Sequence, residues 1–475
     1  MRTYIEESLA GTPPYRRLAL DSMAFEEYEK VNRVFHRAVK HSPEPVVPRN
    51  KPWEGWGPYV YGTVMWDEGR LRMWYQVIAE DRPVKSRVCY AESADGIHWT
   101  KPDLGIFEHQ GSKANNIVAE NTIGIASVIR VRNPESAEKS WAVFSYGGDE
   151  MGPHVAYSAD GLHWRIGEDE RQKKLFSSSD VINFFWDPYK NRYTATWKTH
   201  NRHHRAVGVA FSENGFDWHK PIDGPVFGAD DLDPDATQIY GMPVFPYQGC
   251  YIGLPWIYHA RYIKFGEYST QRMYEAQEGS PCTVDVQLAW SWDLISWNRT
   301  PERRPFISLS ADDRLDSKQI YTARAPVIVN DKLFFYYGGF NTLHDYNDNP
   351  HCAIFLATLR LDGFCSFAAG DEEGWIISRR ELFRTPRITI NARTEHDGYI
   401  TAEITDRWNK PIPGFSRSEC NVFRGDSTSH ELTWRTEAFS GEWLEPDKKI
   451  RFYLRNAELY SYLPARDSFF APSAP

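Results

Sequence analysis

Four acidic residues, Glu54, Asp180, Asp235 and Asp316, stand just ahead of strand-like runs that are far apart in the chain. Two of them head the same phrase: Asp235-Ala236-Thr237-Gln238-Ile239-Tyr240 and Asp316-Ser317-Lys318-Gln319-Ile320-Tyr321 share the pattern Asp-x-x-Gln-Ile-Tyr. Gln238, Tyr240, Gln319 and Tyr321 accompany these two acids, and Trp53 and Trp56 flank Glu54. Aromatic faces stack on sugar rings, while amides and phenols bond hydroxyls. Cleavage of a glycosidic bond needs one carboxyl that protonates the leaving oxygen and a second that attacks or activates water. These residue types imply a carbohydrate ligand and acid–base chemistry on it, with Glu54, Asp180 and Asp235 as the preferred set and Asp316 as an alternative partner. Each acid also has a plainer reading, as a turn cap or the mate of an arginine, and the two tryptophans equally read as core.

The elements that would bring these residues together are announced by a repeat. Ser93-Ala94-Asp95-Gly96-Ile97-His98-Trp99 recurs as Ser158-Ala159-Asp160-Gly161-Leu162-His163-Trp164, Ser212-Glu213-Asn214-Gly215-Phe216-Asp217-Trp218 and Ser291-Trp292-Asp293-Leu294-Ile295-Ser296-Trp297. Each copy follows an alternating run and reads as a tight turn, in which Asp or Asn bonds backbone amides and Gly takes a positive φ. The Trp positions are 99, 164, 218 and 297, and such spacing leaves room for a four-stranded blade plus loops. Strand-like runs open near residues 59, 123, 181, 239 and 320, predicting five blades whose first strands start at one mouth of a funnel. The second run carries no acid, although Glu120 and Asn121 lie just before it.

Composition narrows the function classes. The net charge of −9 is spread without a basic stripe, which argues against nucleic acid as a partner. No run approaches transmembrane length and residues 1–20 contain no apolar leader core, so the expectation is a cytoplasmic protein with no membrane partner. Six cysteines lie far apart without paired zinc spacing, so reduced thiols are expected, with neither metal nor cofactor. His203 and His204, between Arg202 and Arg205, read as part of a solvated hairpin loop. The long insertion at 259–285 reads as a wall of the funnel, contributed to a neighbour's site if the chain is a homo-oligomer.

Three regions are expected. Residues 1–50 form an N-terminal helical and extended segment, in which Phe25, Tyr28, Val31, Val34 and Phe35 fall near one face of a helix over 22–39. Residues 51–369 form the five-bladed β-propeller. Alternating runs in 387–454, divided by turns such as His396-Asp397-Gly398, predict a C-terminal β-sandwich over 370–475 in an all-β chain.

The phrases Gly111-Ser112-Lys113-Ala114-Asn115-Asn116, Arg360-Leu361-Asp362-Gly363-Phe364 and Leu454-Arg455-Asn456-Ala457-Glu458-Leu459-Tyr460, with the turns above, resemble bacterial family-32-like members of the glycoside hydrolase family 32 and 43 superfamily. The resemblance implies a five-bladed propeller followed by a sandwich and an O-glycosyl hydrolase of fructosidase or arabinofuranosidase type, with a furanoside substrate. The family's Asn-Asp-Pro-Asn-Gly, Arg-Asp-Pro and Glu-Cys hallmarks are absent here, so its catalytic residues are not carried over. Two other readings stand beside hydrolysis: a non-catalytic carbohydrate-binding propeller, and a glycoside phosphorylase. The latter needs a cationic phosphate pocket, for which Arg324 and Lys318 are available.

Overall fold

A computed structural model describes residues 5–464, apart from 21, 82, 122–123, 125–126, 148–151, 202–203, 235, 261, 266–272, 277–281, 345–349, 383–385 and 436–446. The chain is nearly all strand, with short helices at Ile5–Ala10 and Glu170–Lys173. No helix among the described residues is long and apolar enough to cross a membrane. Contact density divides it into two units, Met1–Ala10 with Ala38–Thr358, and Gly11–Arg37 with Leu359–Pro475. The division therefore lies at residues 358/359, ahead of the expected joint near 370, and most of the N-terminal segment belongs with the C-terminal unit.

The larger unit is a propeller-like ring of sheets. Three antiparallel sheets follow one another, beginning at Pro58–Tyr59, Ser127–Arg130 and Ile182–Asp187, and a fourth begins at Val244–Tyr247. An eight-stranded sheet runs from Thr237–Gly241 to Val39–Lys40; its two meanders are joined by one parallel pair, Val284 with Gln319. Hydrogen bonds step around the ring: Val128 N to Thr63 Oγ1 (2.9 Å), Phe184 N to Ser127 Oγ (3.1 Å), and Thr196 Oγ1 to the Met242 carbonyl (2.7 Å). They continue from Trp256 Nε1 to Thr322 Oγ1 (3.1 Å) and from Arg324 N to the Gly62 carbonyl (2.9 Å), which returns to the first sheet. The last meander is completed by the N-terminal strand Val39–Lys40, paired with Ala357 and Thr358.

The helix Ile5–Ala10 lies where the first strands finish. Its Leu9 carbonyl accepts from Gln248 N and its Ala10 carbonyl from Tyr189 Oη. Its Glu6 reaches Arg324 Nη1 at 2.5 Å, and both residues are almost fully buried.

The helix expected over 22–39 is not formed. Only Ser22–Ala24 makes a 3₁₀ turn, and Phe25–Glu29 and Asn32–Phe35 are strands on Gly374–Ser378 and Cys365–Ala369. Phe25 and Val31 are buried but Tyr28 and Val34 are exposed, so the apolar residues do not share a helix face. Partners more than 300 residues away in sequence supply the ladder, and tertiary pairing overrides the local 3.6 pattern. In the same unit two long strands, Ile388–Thr405 and Asp447–Pro464, pair along most of their length with a break between Thr394 and Tyr399. No disulfide is present among the described residues, where all six cysteines are buried.

The repeated turns behave as their residue types require. In the first, Asp95 Oδ1 accepts from the amides of Ile97 and His98 (both 2.8 Å), and Gly96 N donates to Ser93 Oγ. The second and fourth repeat this with Asp160 and Asp293, and the third uses the neutral Asn214. Gly96 and Gly161 have φ near +80°, and their carbonyls accept from Tyr336 Oη and Trp74 Nε1 of the preceding sheet (both 2.7 Å). A Cβ at Gly96 would meet Tyr336 Oη at 2.7 Å, so glycine answers both the backbone and the close approach.

The Asp95 carboxyl is held below the ordinary aspartate range by the His98 side chain and then by the turn amides. Burial raises Asp160 and Asp293, but the amides of His163 and Leu162, and of Ser296 and Ile295, outweigh it and lower both. A depressed folded-state pKa stabilises above the unfolded value of about 3.9, and this stabilisation is lost as pH falls through the folded-state value. The melting temperature is therefore expected to fall steeply below about pH 4. Asp160→Asn, which copies the Asn214 turn, should flatten that slope, and an unchanged slope in thermal melts from pH 5 to 3 would refute the assignment.

Candidate functional site

Of the four acids expected to converge, the three among the described residues do not share one environment. Glu54 is fully buried. Its Oε2 accepts from the amides of Asn50 and Lys51 (2.9 and 3.0 Å), and its Oε1 from Tyr75 Oη (2.9 Å) and Lys101 Nζ (2.5 Å). Asp316 is built alike: buried, its Oδ2 accepts from Lys40 Nζ (2.6 Å) and Tyr337 Oη (2.9 Å). Burial pulls both lysines below their ordinary pKa, and the partner carboxylates oppose it. Trp53 is buried beside Glu54, donating to Asn116 Oδ1 (2.8 Å) and packed edge-on to His109. Trp56 is half-buried, its backbone held by Ile78 and Cys352. Asp235 lies outside the described residues.

These acid–cation pairs follow a rule written in the repeat. In three of the four copies the residue two after the turn tryptophan is a cation that reaches back to a segment ahead of a strand, whereas the second copy has Ile166 there. Lys101 meets Glu54, Lys220 donates to the Ser177 carbonyl (3.1 Å), and Arg299 forks onto Asp233 (2.5 and 2.8 Å). In the last meander, which lacks the turn, Lys40 of the N-terminal strand takes that role on Asp316.

Asp180 differs. Its side chain is half-exposed, with Lys198 Nζ 3.2 Å from Oδ1. Lys198 sits 5.0 Å from the centroid of the Tyr240 ring, and Arg205 lies over Tyr240 and Tyr258 at 5.4 and 5.5 Å. Tyr240 contacts Tyr321 (5.4 Å) and His344 (5.0 Å), and Tyr321 contacts Tyr61, which packs on Tyr59 and Trp256. Residues from the first, third and both later meanders thus meet in one aromatic and cationic cluster where the first strands begin.

Local backbone explains why the twin phrases diverge. Thr237–Gly241 pairs with Trp256–His259 through a bulge between Ile239 and Gly241, and a bulge re-aims a side chain. Tyr240 is consequently only half-buried, among Lys198, Arg205 and His344. Gln319–Thr322 has no bulge; Tyr321 is buried and donates to Gln319 Oε1 (2.6 Å), whose amide donates to the Thr342 carbonyl. Gln238 is buried in register with Tyr258. Burial, then neighbouring tyrosines, then the Asp180 charge push the Tyr61 phenol well above its ordinary value; the same forces raise Tyr59. Near neutrality these phenols are hydrogen-bonding groups and not acids.

The sequence reading missed an acid on the strand that pairs with Trp256–His259. Asp285 is largely buried, with Oδ2 2.7 Å from His259 Nε2 and no hydrogen-bond partner on Oδ1 among the described residues. His259 ends one strand and Asp285 lies in the strand beside it, adjacent in register at Ile257↔Asp285, so the insertion between them leaves and rejoins the sheet on adjoining strands. Arg205 was also missed. Positions 205, 207, 209 and 211 alternate onto one face, and Val207, Val209 and Phe211 are core, a signal that Arg205 is not a loop residue. His204 begins that strand, while Arg202 and His203 lie outside the described residues.

No family model matches the chain, and no curated protein matches it. Among solved structures, a glycosyl hydrolase from Bacteroides ovatus is 14% identical, over 72% of this chain and 97% of that one, at a TM-score of 0.41. A structure from the GH130 family of mannoside phosphorylases, whose title includes glycoside hydrolases that target β-1,2 mannosidic linkages, is 16% identical over 69% and 94%, at 0.42. An N-acetylgalactosamine deacetylase from F. plautii, in complex with blood group B trisaccharide, is 13% identical over 77% and 96%, at 0.39. At such scores the likenesses carry no assignment of family or activity.

Breaking a buried ion pair by removing one charge typically costs about 3–5 kcal/mol. Glu54→Gln and Asp316→Asn are expected to lose stability on that scale in urea titrations, whereas Asp180→Asn loses less. Equal stability of all three variants would remove the distinction drawn between scaffold and mouth.

Proposed function

We propose that this chain is a carbohydrate-active enzyme, a glycoside hydrolase on a five-bladed propeller with a C-terminal sandwich, working at the Tyr240 mouth. The observations that carry the reading are the half-exposed Asp180, paired with a Lys198 that lies over the Tyr240 ring, and the His259–Asp285 pair on the two paired strands of which one carries Tyr258. Sugar rings lie on tyrosine faces, Gln238 and Gln319 stand on the adjoining strands, and two carboxyls supply the proton and the attack or water activation that glycosidic cleavage requires. Among the described residues Asp285 has a partner on one oxygen alone, His259, which orients it as a positioned acid or base would be. Asp235, two residues before Thr237 in the chain, stays a candidate third acid on its sequence position alone; Glu54 and Asp316 are assigned to the scaffold. The five bonds that step around the ring, with the eight-stranded sheet divided at its parallel pair, support the proposed count of five blades. Furanosides, the substrates that the family-32-like phrases imply, come first for testing.

The test is a panel of aryl furanosides and pyranosides, with and without orthophosphate, on the full chain and on Asp180→Asn and Asp285→Asn. Loss of an acid or base typically lowers turnover by about 10²–10⁴-fold. That loss is expected in both variants, with cooperative unfolding retained. Wild-type rates in both would move the pair to Asp235 and another residue, and a wild-type chain that binds sugars but cleaves none would establish the binding module instead.

A further inference from the structure

We infer that Arg205 is an anion-binding residue of this mouth and that its ligand carries an oxyanion, either the carboxylate of an acidic sugar or a phosphate. The inference rests on the mouth being a carbohydrate site. Arg205 is half-buried with its guanidinium over the rings of Tyr240 and Tyr258, and it forms no ion pair among the described residues. Its Nη1 is shut from solvent and has no acceptor among the described residues. The contrast with other buried arginines is direct: Arg87 holds Asp81 and Glu120, Arg299 holds Asp233, and Arg324 holds Glu6. Among the described residues, Asp180 is engaged with Lys198 and Asp285 with His259.

Stacking on aromatic rings occupies the flat faces of a guanidinium and leaves its N–H edges, whose fork matches two oxygens side by side. A neutral hydroxyl can accept one such bond but leaves the charge uncompensated in aromatic surroundings, whereas an oxyanion answers both needs. Lys198, over the same Tyr240 ring, adds a second positive charge beside that position. The chain as a whole carries a net charge of −9, so anion binding here requires a local site and not a general field.

The experiment measures binding to the full chain by calorimetry, using inorganic phosphate, methyl glycosides of hexuronic acids and the matching neutral methyl glycosides. At least one anionic probe should bind, and Arg205→Gln should weaken it by about 10–100-fold, the usual worth of a hydrogen bond to a charged group. Neutral glycosides should bind both proteins alike. Phosphate that binds and accelerates turnover identifies a phosphorylase; preference for uronides without phosphate binding identifies an acidic substrate. If Arg205→Gln does not fold, Arg205→Lys keeps the charge without the fork and should retain part of the anion affinity. Failure of both anions to bind wild type, or equal anion binding by wild type and Arg205→Gln, overturns the inference. These arms need no turnover, so loss of the hydrolase reading alone would leave the anion site standing.

Discussion

The Glu6–Arg324 ion pair lies at the junction on which the ring depends. Arg324 is almost completely buried, and besides Glu6 it reaches Thr63 Oγ1 (3.4 Å) in the first sheet and the Val128 carbonyl (3.3 Å) in the second. Its own backbone amide closes the ring on Gly62. A guanidinium has enough donors to tie three segments at once, and burial makes each unmet donor expensive. The charge thus requires a carboxylate at the axis, which the N-terminal helix delivers. One residue from each end of the larger unit therefore fixes the positions at which its first strands meet.

The periphery is held by a second, repeated arrangement. Lys101, Lys220, Arg299 and Lys40 each reach the segment ahead of a first strand, and turn carbonyls accept from aromatic donors of the preceding sheet. With the entrances of the strands pinned from outside, side chains facing the axis can be spent on the ligand. Tyr240 shows the division most clearly, because its bulge releases it from the packing that its counterpart Tyr321 obeys.

The mouth differs from the scaffold in what its charges have as partners. Scaffold acids have their oxygens satisfied by lysine, arginine, tyrosine and backbone amides, whereas the half-exposed Asp180 faces Lys198 and Arg205 is stacked on rings. Aromatic surroundings lower the local polarity, which strengthens the attraction between opposite charges held there and penalises a charge left uncompensated.

The sequence by itself determined the repeating turns, because Ser, Asp or Asn, Gly and Trp act within a few residues of one another, and from their spacing the ring of sheets. It also located Asp180, Tyr240 and Tyr321 at strand entrances. It misjudged residues 22–39 because a strand's partner can lie hundreds of residues away, and an apolar pattern cannot name that partner. Glu54 and Asp316 looked equivalent to Asp180, since the lysines that occupy them come from another strand of the sheet or from the N-terminus. Tertiary structure alone decided which acids are consumed and that His259 meets Asp285. It also decided that Arg205 meets no carboxylate among the described residues, because each outcome depends on distances across strands that chain order does not encode.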